Sequence, residues 1–305
     1  MTKHLYTIIL AAGEGTRVRG LTKNADGVCV PKQFSVVDGD QTILHSTLSR
    51  ATRLVPNDRV VAVVAEEHRR WWREDLAGLP PENIVVQPLN RGTAIGLLLP
   101  FLKVLQRDPE ARILVLPSDH HVDDEETLRR AILEALESVN LDATGVVLLG
   151  ALPQEPDTEY GWIVPRGTLD SVRGVVTFIE KPDKATARTL LGQGALLNTL
   201  ILVAAGRSLL HLYTRHLPGV LGELLTWRDN AMFPDRELTQ LYSALPSHDL
   251  SRDVLTHSCD QLSVLPISHC GWSDLGTPAR LRLFQREQAS AYGAMRGGSL
   301  ASSPR

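Results

Sequence analysis

The strongest constraint on the fold is a succession of short, continuously apolar runs separated by stretches with helical spacing. Tyr6 to Ala11, Arg59 to Ala65 (RVVAVVA), Asn83 to Gln87, Arg112 to Leu116 (RILVL) and Gly145 to Leu149 each read as a buried strand. Thr42 to Leu54, Glu66 to Leu76, Thr93 to Leu105 and Glu125 to Val139 read as the intervening helices. Strands that are apolar throughout must be covered on both faces, which predicts an α/β fold: a Rossmann-like, mainly parallel sheet with helices on both faces. Ligands of such sheets sit beyond the carboxyl ends of the strands, so the loops starting at Ala12, Gln87 and Pro117 are expected to converge. Past Gly150 the pattern is less regular. Gly161 to Val164, Val175 to Glu180 and Leu196 to Val203 read as strands, and Ser208 to Leu245 as helical, with Trp227, Met232 and Phe233 buried. This half is expected to be mixed α+β. From Ala289 the chain turns small and polar, and 289–305 reads as a disordered tail after a domain spanning 1–288.

Composition narrows the classes. A chain of 305 residues can bury a full core, and a formal net charge of -3 is unlike the basic balance of a nucleic-acid binder. No apolar run reaches the roughly 18 residues of a membrane span, and the first strand begins without a signal peptide; the expectation is a cytoplasmic protein with neither nucleic-acid nor membrane partners. Cys29, Cys259 and Cys270 are odd in number and lack metal-ligand spacing, which suits a reducing compartment. His120, His121, His257 and His269 also lack ligand spacing. Trp71-Trp72 reads as a helix packing patch or a subunit contact, the latter compatible with a homodimer.

Six stretches could carry chemistry, and each has a plainer reading. The first strand runs into a glycine loop, in which Gly13 and Gly15 permit close backbone approach to an anion while Arg17 and Lys32 add cations; an ordinary strand-to-helix turn is the alternative. The loop lacks the Lys-Ser/Thr of a P-loop and the small residue a dinucleotide fingerprint needs at Val18. Asp119, directly after an apolar strand, can hold a divalent cation or cap a helix, a role that Asp123 and Asp124 suit better. Asp274 in Trp272-Ser273-Asp274-Leu275-Gly276-Thr277 is either a second carboxylate or a loop cap. Glu180-Lys181-Pro182 ends a strand with a charge pair, or forms a solvated edge. Asn198 is a hydroxyl ligand or a strand Asn satisfied by backbone. Gln87 to Ala94 is a base-reading loop or a loop with a Thr93 cap.

Taken together, Gly13-Glu14-Gly15-Thr16-Arg17-Val18, Leu21-Thr22, Pro31-Lys32-Gln33-Phe34, Pro117-Ser118-Asp119-His120, Glu180-Lys181-Pro182 and Trp272-x-Asp274-x-Gly276-Thr277 resemble the sugar-1-phosphate nucleotidylyltransferases, most of all their mannose-1-phosphate guanylyltransferase branch. Gly20 stands where the family has Pro, the segment Lys23 to Val30 is longer, Gln87 replaces Glu, and Glu159 replaces the first Gly of the T-G-Y-G-Y-I stretch. The resemblance implies the nucleotidyltransferase, GT-A-like version of the fold, with a nucleotide-binding part at 1–150 and a sugar-phosphate part at 151–288. It implies that an NTP, GTP as the best guess, and a sugar 1-phosphate, mannose 1-phosphate as the best guess, are joined with release of pyrophosphate. Arg17, Lys32 and Lys181 would be the catalytic cations. Ala11, Ala12, Gly13, Gly15, Thr16, Gln87, Gly92 and Thr93 would bind the nucleotide; Tyr160, Gly161, Glu180, Lys181 and Asn198 the sugar phosphate; Asp119 and Asp274 one Mg²⁺. Glucose 1-phosphate or another NTP pair is the nearest alternative. Two other classes compete: a non-catalytic nucleotide-sugar-binding regulator, and a glycosyltransferase, whose usual Asp-x-Asp spacing Asp119 lacks.

Overall fold

Each apolar run identified above is a strand in the computed structural model, which describes residues 3–24, 26–38, 41–141, 145–168, 171–230, 232 and 234–286. The expected tail at 289–305 and the expected burial of Phe233 lie outside the described residues. The chain runs β1 (Leu5–Ala11), β2 (Val36–Asp38), β3 (Gln41–Thr42), α1 (Ile43–Thr52), β4 (Val60–Ala65), α2 (Arg69–Asp75), β5 (Ile84–Gln87), α3 (Gly92–Arg107), β6 (Arg112–Pro117), α4 (Glu125–Leu141) and β7 (Val146–Ala151). It continues β8 (Gly161–Pro165), β9 (Arg173–Glu180), α5 (Lys184–Gly192), β10 (Leu196–Ala205), α6 (Gly206–His216), α7 (Pro218–Asn230), α8 (Pro234–Ala244), α9 (Leu250–Asp253) and β11 (Ser263–Ile267). A further helix covers 278–286.

One sheet of nine strands, ordered β5-β4-β1-β6-β10-β7-β11-β9-β8, crosses the molecule. Its first four strands are parallel, and their carboxyl ends align: Ala11 lies beside Val64, Ala65 beside Gln87, and Leu10 beside Pro117. Beyond β6 the sheet is mixed, because β10 runs antiparallel to both β6 and β7 while β11 is parallel to β7. Side chains alternate between two cores, as strand geometry requires. Ile8, Val61, Val63, Ile113 and Val115 meet α3 and α6 to α9 on one face. Ile9, Ala62, Val64, Leu114 and Leu116 meet α1, α2 and α4 on the other.

Trp72 is buried and donates from Nε1 to the Ala65 carbonyl at 2.9 Å, and Trp71 stacks on Phe34 at 6.4 Å, so this pair packs α2 onto the sheet. Met232, expected to be buried, is 81% exposed. It sits in the turn between α7 and α8, whose apolar faces are satisfied without it. Among the described residues no helix is long and apolar enough to cross a membrane.

Candidate active site

The loop after β1 is shaped by contacts that explain its glycines. Gly15 has φ +59°, and a Cβ there would stand 3.1 Å from both the Lys32 nitrogen and its Cβ, so only glycine lets the loop lie on Lys32. Gln33, 2% exposed, donates from Nε2 to the carbonyl oxygens of Ala11 (3.1 Å) and Gly13 (2.8 Å). Thr16–Val18 then forms one 3-10 turn, and Val18 buries against Leu275, Leu281 and Phe284. The long segment after Thr22 closes on itself. Val30 N–H donates to the Thr22 carbonyl, the Thr22 hydroxyl returns a bond to the Val30 carbonyl, and Lys23 bridges Cys29. The extra residues therefore form an ear that hands the chain back at Pro31-Lys32.

Lys32, 3% exposed, joins the two loops that carry the candidate carboxylates. Its Nζ lies 2.6 Å from Asp119 Oδ2 and also donates to the Asp274 carbonyl oxygen. Those loops are zipped by a two-bond bridge between His121 and Ser273, at 2.9 and 3.0 Å, and by Asp123 and Asp124 N–H groups on the Cys270 carbonyl. Asp124 accepts the Glu126 and Thr127 N–H groups at the start of α4, whereas Asp119 pairs with Lys32. Cap and candidate ligand are thus separate residues. Burial pushes the Asp119 carboxyl up, but the Lys32 ammonium leads opposing influences that together hold the group below the ordinary carboxylate range. Burial also takes His120 down to about 4, so the imidazole between Asp119 and Trp272 is neutral near pH 7.

Asp274 sits in a tight cage. Its Oδ1 accepts the Tyr160 hydroxyl (2.8 Å) and the Gly276 N–H (2.9 Å) and lies 3.0 Å from Arg280 Nε. Arg280 in turn lies 4.4 Å over the Tyr160 ring and donates to Asp157 Oδ2 at 2.7 Å. Burial works upward on Asp274, and Arg280 leads the opposing influences that leave it below its usual range. Burial, reinforced by Asp274, pushes the Tyr160 phenol well up, so it stays a donor.

Glu180 pairs with Gly161 across β8 and β9, and a Cβ on Gly161 would run into the Glu180 carboxylate. Burial raises Glu180, and Asp249 adds to the shift against Lys181. Lys181 is exposed with φ +47°, an uncommon conformation for a non-glycine residue, held by its N–H on the Tyr160 carbonyl at 3.2 Å. Asn198 lies at a bulge in β10: Oδ1 accepts Leu200 N–H, Leu200 having φ +57°, and Nδ2 donates to Ser251 Oγ. The loop after β5 docks on the chain before α9. Gly92 has φ +83° where a Cβ would meet the His248 carbonyl oxygen, and Thr93 Oγ1 donates to Asp249 and accepts from Leu250 N–H. Gln87 is 1% exposed, with its Oε1 lacking a partner among the described residues.

The arrangement at the sheet's carboxyl edge is an anion-receiving loop, a buried ammonium and two carboxylate-bearing loops bridged to each other. A family model described as nucleotidyl transferase matches residues 6–290, nearly the whole chain. The chain belongs to the nucleotidyl transferase family. Mannose-1-phosphate guanylyltransferase of Escherichia coli K12 is 31% identical over 288 residues, covering 90% of this chain and 58% of that protein. The alginate biosynthesis protein AlgA of Pseudomonas syringae is 29% identical, covering 89% and 56%. The chain spans somewhat over half the length of these curated relatives. A solved structure described as mannose-1-phosphate geranyltransferase of Thermus thermophilus superposes with TM-score 0.78 at 29% identity, covering 90% of this chain and 76% of that one.

In this member of the family the structure brings Arg17, Lys32, Asp119, Tyr160 and Asp274 into one cluster, with Glu180, Lys181 and Gly161 beside Tyr160. From the loop after β5, Thr93 reaches toward it through Asp249, which acts on Glu180, while Gly92 docks on His248 and Gln87 is buried with no bond to the cluster among the described residues. Sequence reasoning passed over Arg280, Asp157, Asp249 and the clamping role of Gln33. Arg280 had one faint signal, a basic residue one turn into the helix that follows the Asp274 loop.

Proposed function

We propose that this nucleotidyl transferase joins a sugar 1-phosphate to an NTP and releases pyrophosphate, with mannose 1-phosphate and GTP as the pair. The observation that carries the reading is the buried Lys32 ammonium in contact with both carboxylate-bearing loops at the foot of the glycine loop. The names of the guanylyltransferase relatives support the substrate pair.

Asp119 and Asp274 fit a hard divalent cation such as Mg²⁺. Both are carboxylates held in the ionised range, the ammonium paired with the Asp119 carboxylate also touches the Asp274 backbone, and magnesium favours one or two carboxylates completed by phosphate and water. Bound there, the ion would neutralise phosphate charge. The chain's own groups do the rest. A phosphate oxygen of the sugar 1-phosphate attacks the α-phosphorus of the NTP; the new P–O bond forms as the bond to the β-phosphate oxygen breaks, and pyrophosphate leaves. Two anions must meet, so positioning and charge neutralisation supply most of the acceleration. Lys32 serves the α-phosphate, Arg17 the β- and γ-phosphates and Lys181 the incoming phosphate. Ala11, Ala12, Gly13, Gly15 and Thr16 present backbone, and Glu180, Tyr160 and Gly161 shape the sugar side. Asn198 supports that side through the β10 bulge.

Pyrophosphate release across four NTPs and the 1-phosphates of mannose, glucose, galactose and N-acetylglucosamine tests the reading. A signal with GTP and mannose 1-phosphate that vanishes in Lys32→Met is expected. Binding of nucleotide sugar without turnover in any combination would point to a regulatory homologue instead.

A further inference from the structure

Arg17, the cation placed on the β- and γ-phosphates above, already has an anion. Its Nη1 donates to Glu159 Oε2 at 2.7 Å, across 142 residues of sequence and from one wall of the cleft to the other. Arg17 stands on the glycine-loop side and Glu159 just before β8 on the sugar side. The two side chains are 51% and 45% exposed, so the pair lies at the mouth where an entering ligand meets it.

The carboxylate is presented rather than adrift. Glu159 N–H donates to Asp157 Oδ1 at 2.7 Å, Asp157 Oδ2 accepts Arg280 Nη1 at 2.7 Å, and the Asp157 carbonyl accepts Nε1 of the fully buried Trp162 at 2.8 Å. The turn carrying Glu159 is thereby tied to the core and to the Asp274 cage. On its other side the Arg17 guanidinium rests on Gly276, where a Cβ would come within 3.2 Å of Nη2.

We propose that Glu159 is a gate on the nucleotide site, holding Arg17 until the β- and γ-phosphates of an NTP displace it. This rests on the nucleotidyl-transfer reading. A guanidinium offers the same planar fork to a carboxylate and to a phosphate, and the Nη1 donor engaged by Glu159 is withheld from a ligand. Ligands lacking β- and γ-phosphates have no use for Arg17, so freeing it from Glu159 gains them nothing. The two walls are coupled in consequence: nucleotide binding frees the Glu159 side chain on the sugar-side turn that also carries Asp157 and, next in sequence, Tyr160.

The test measures binding of GTP, ATP, CTP and UTP, and of the corresponding nucleoside monophosphates, to the wild type and to Glu159→Gln, Arg17→Ala and the double variant by titration calorimetry. Half-exposed ion pairs are weak, so Glu159→Gln is expected to tighten binding of the preferred NTP about fivefold and to leave the monophosphates unchanged. On the Arg17→Ala background the same substitution should change nothing. Thermal denaturation establishes that each variant is folded. The gate is overturned if Glu159→Gln binds the NTP no more tightly, if monophosphate binding tightens equally, or if the effect survives without Arg17. Failure of the wild type and of Glu159→Gln to bind any NTP would overturn the nucleotidyl-transfer reading and the gate with it, a result distinct from intact but ungated binding.

Discussion

Replacing Lys32 by Met separates what the ammonium does for the fold from what it does for the chemistry. Methionine keeps the apolar stem that packs beneath Gly15 and removes only the charge. Asp119 would then have the neutral His120, 3.7 Å away, as its nearest titratable neighbour. Breaking a buried pair from one side costs about 3–5 kcal/mol. Asp119 is 35% exposed, and water recovers part of that, which leaves about 1–3 kcal/mol. At roughly 2–4 °C per kcal/mol for large single chains, Tm should fall by roughly 2–12 °C, with the protein folded at 25 °C. Turnover should suffer far more, since a donor aimed at developing phosphate charge is worth about 10²–10³ in rate. The pair Lys32→Met with Asp119→Asn sharpens the test: removing both charges should restore much of the Tm and none of the pyrophosphate release. Turnover of Lys32→Met within about threefold of wild type, or recovery of turnover along with stability in the double variant, would refute the assignment.

Gly92→Ala should destabilise the protein by about 2 kcal/mol or more in urea denaturation, because alanine disfavours φ +83° and its Cβ meets the His248 carbonyl; an unchanged midpoint would mean that the base-side loop is free to lift. Acid sensitivity follows from Asp253, whose carboxyl is lowered to about 2 by its hydrogen bond with Arg252, aided by Asp249 N–H and His248. A depressed folded pKa adds stability above the unfolded value near 4 and loses it as pH falls toward 2, a contribution of up to about 2 kcal/mol. Asp253→Asn should therefore lower stability at pH 6 and flatten its dependence between about pH 4 and 2 in denaturation curves.

The parallel half of the sheet was legible because its strands are buried on both faces and so read as continuous apolar runs. β11 escaped notice because Ser263-Val264-Leu265-Pro266-Ile267 contains a proline, which argues against an interior strand. The structure tolerates it: pairing with β9 covers only Ser263 and Val264, so Pro266 lies where that edge of β11 meets no further strand. α5 was missed for its brevity, and the small hairpin of β2 and β3 for having almost no apolar pattern. In the site, Asp119 and Asp274 could be picked out one at a time from the loops they end. Their proximity could not, since it depends on the His121–Ser273 bridge between segments about 150 residues apart in the chain. Arg280 and Asp157 are hidden for a similar reason: a cation–π stack and a carboxylate bridge are properties of a packed cluster and leave no spacing in the chain.

The place of β10 has a consequence for anyone who would re-engineer the substrate range. β7, the last strand of the first 150 residues, has only β10 and β11 as neighbours, and both come from much later in the chain. A protein cut or spliced at residue 150 would leave β7 with no strand to pair with and β6 with an open edge. Halves taken from two different relatives would have to recreate an antiparallel seam between strangers, at Leu202 beside Val115 and Val203 beside Leu114. Exchange of sugar preference is better attempted by transplanting the loops along the carboxyl rim onto an unbroken frame.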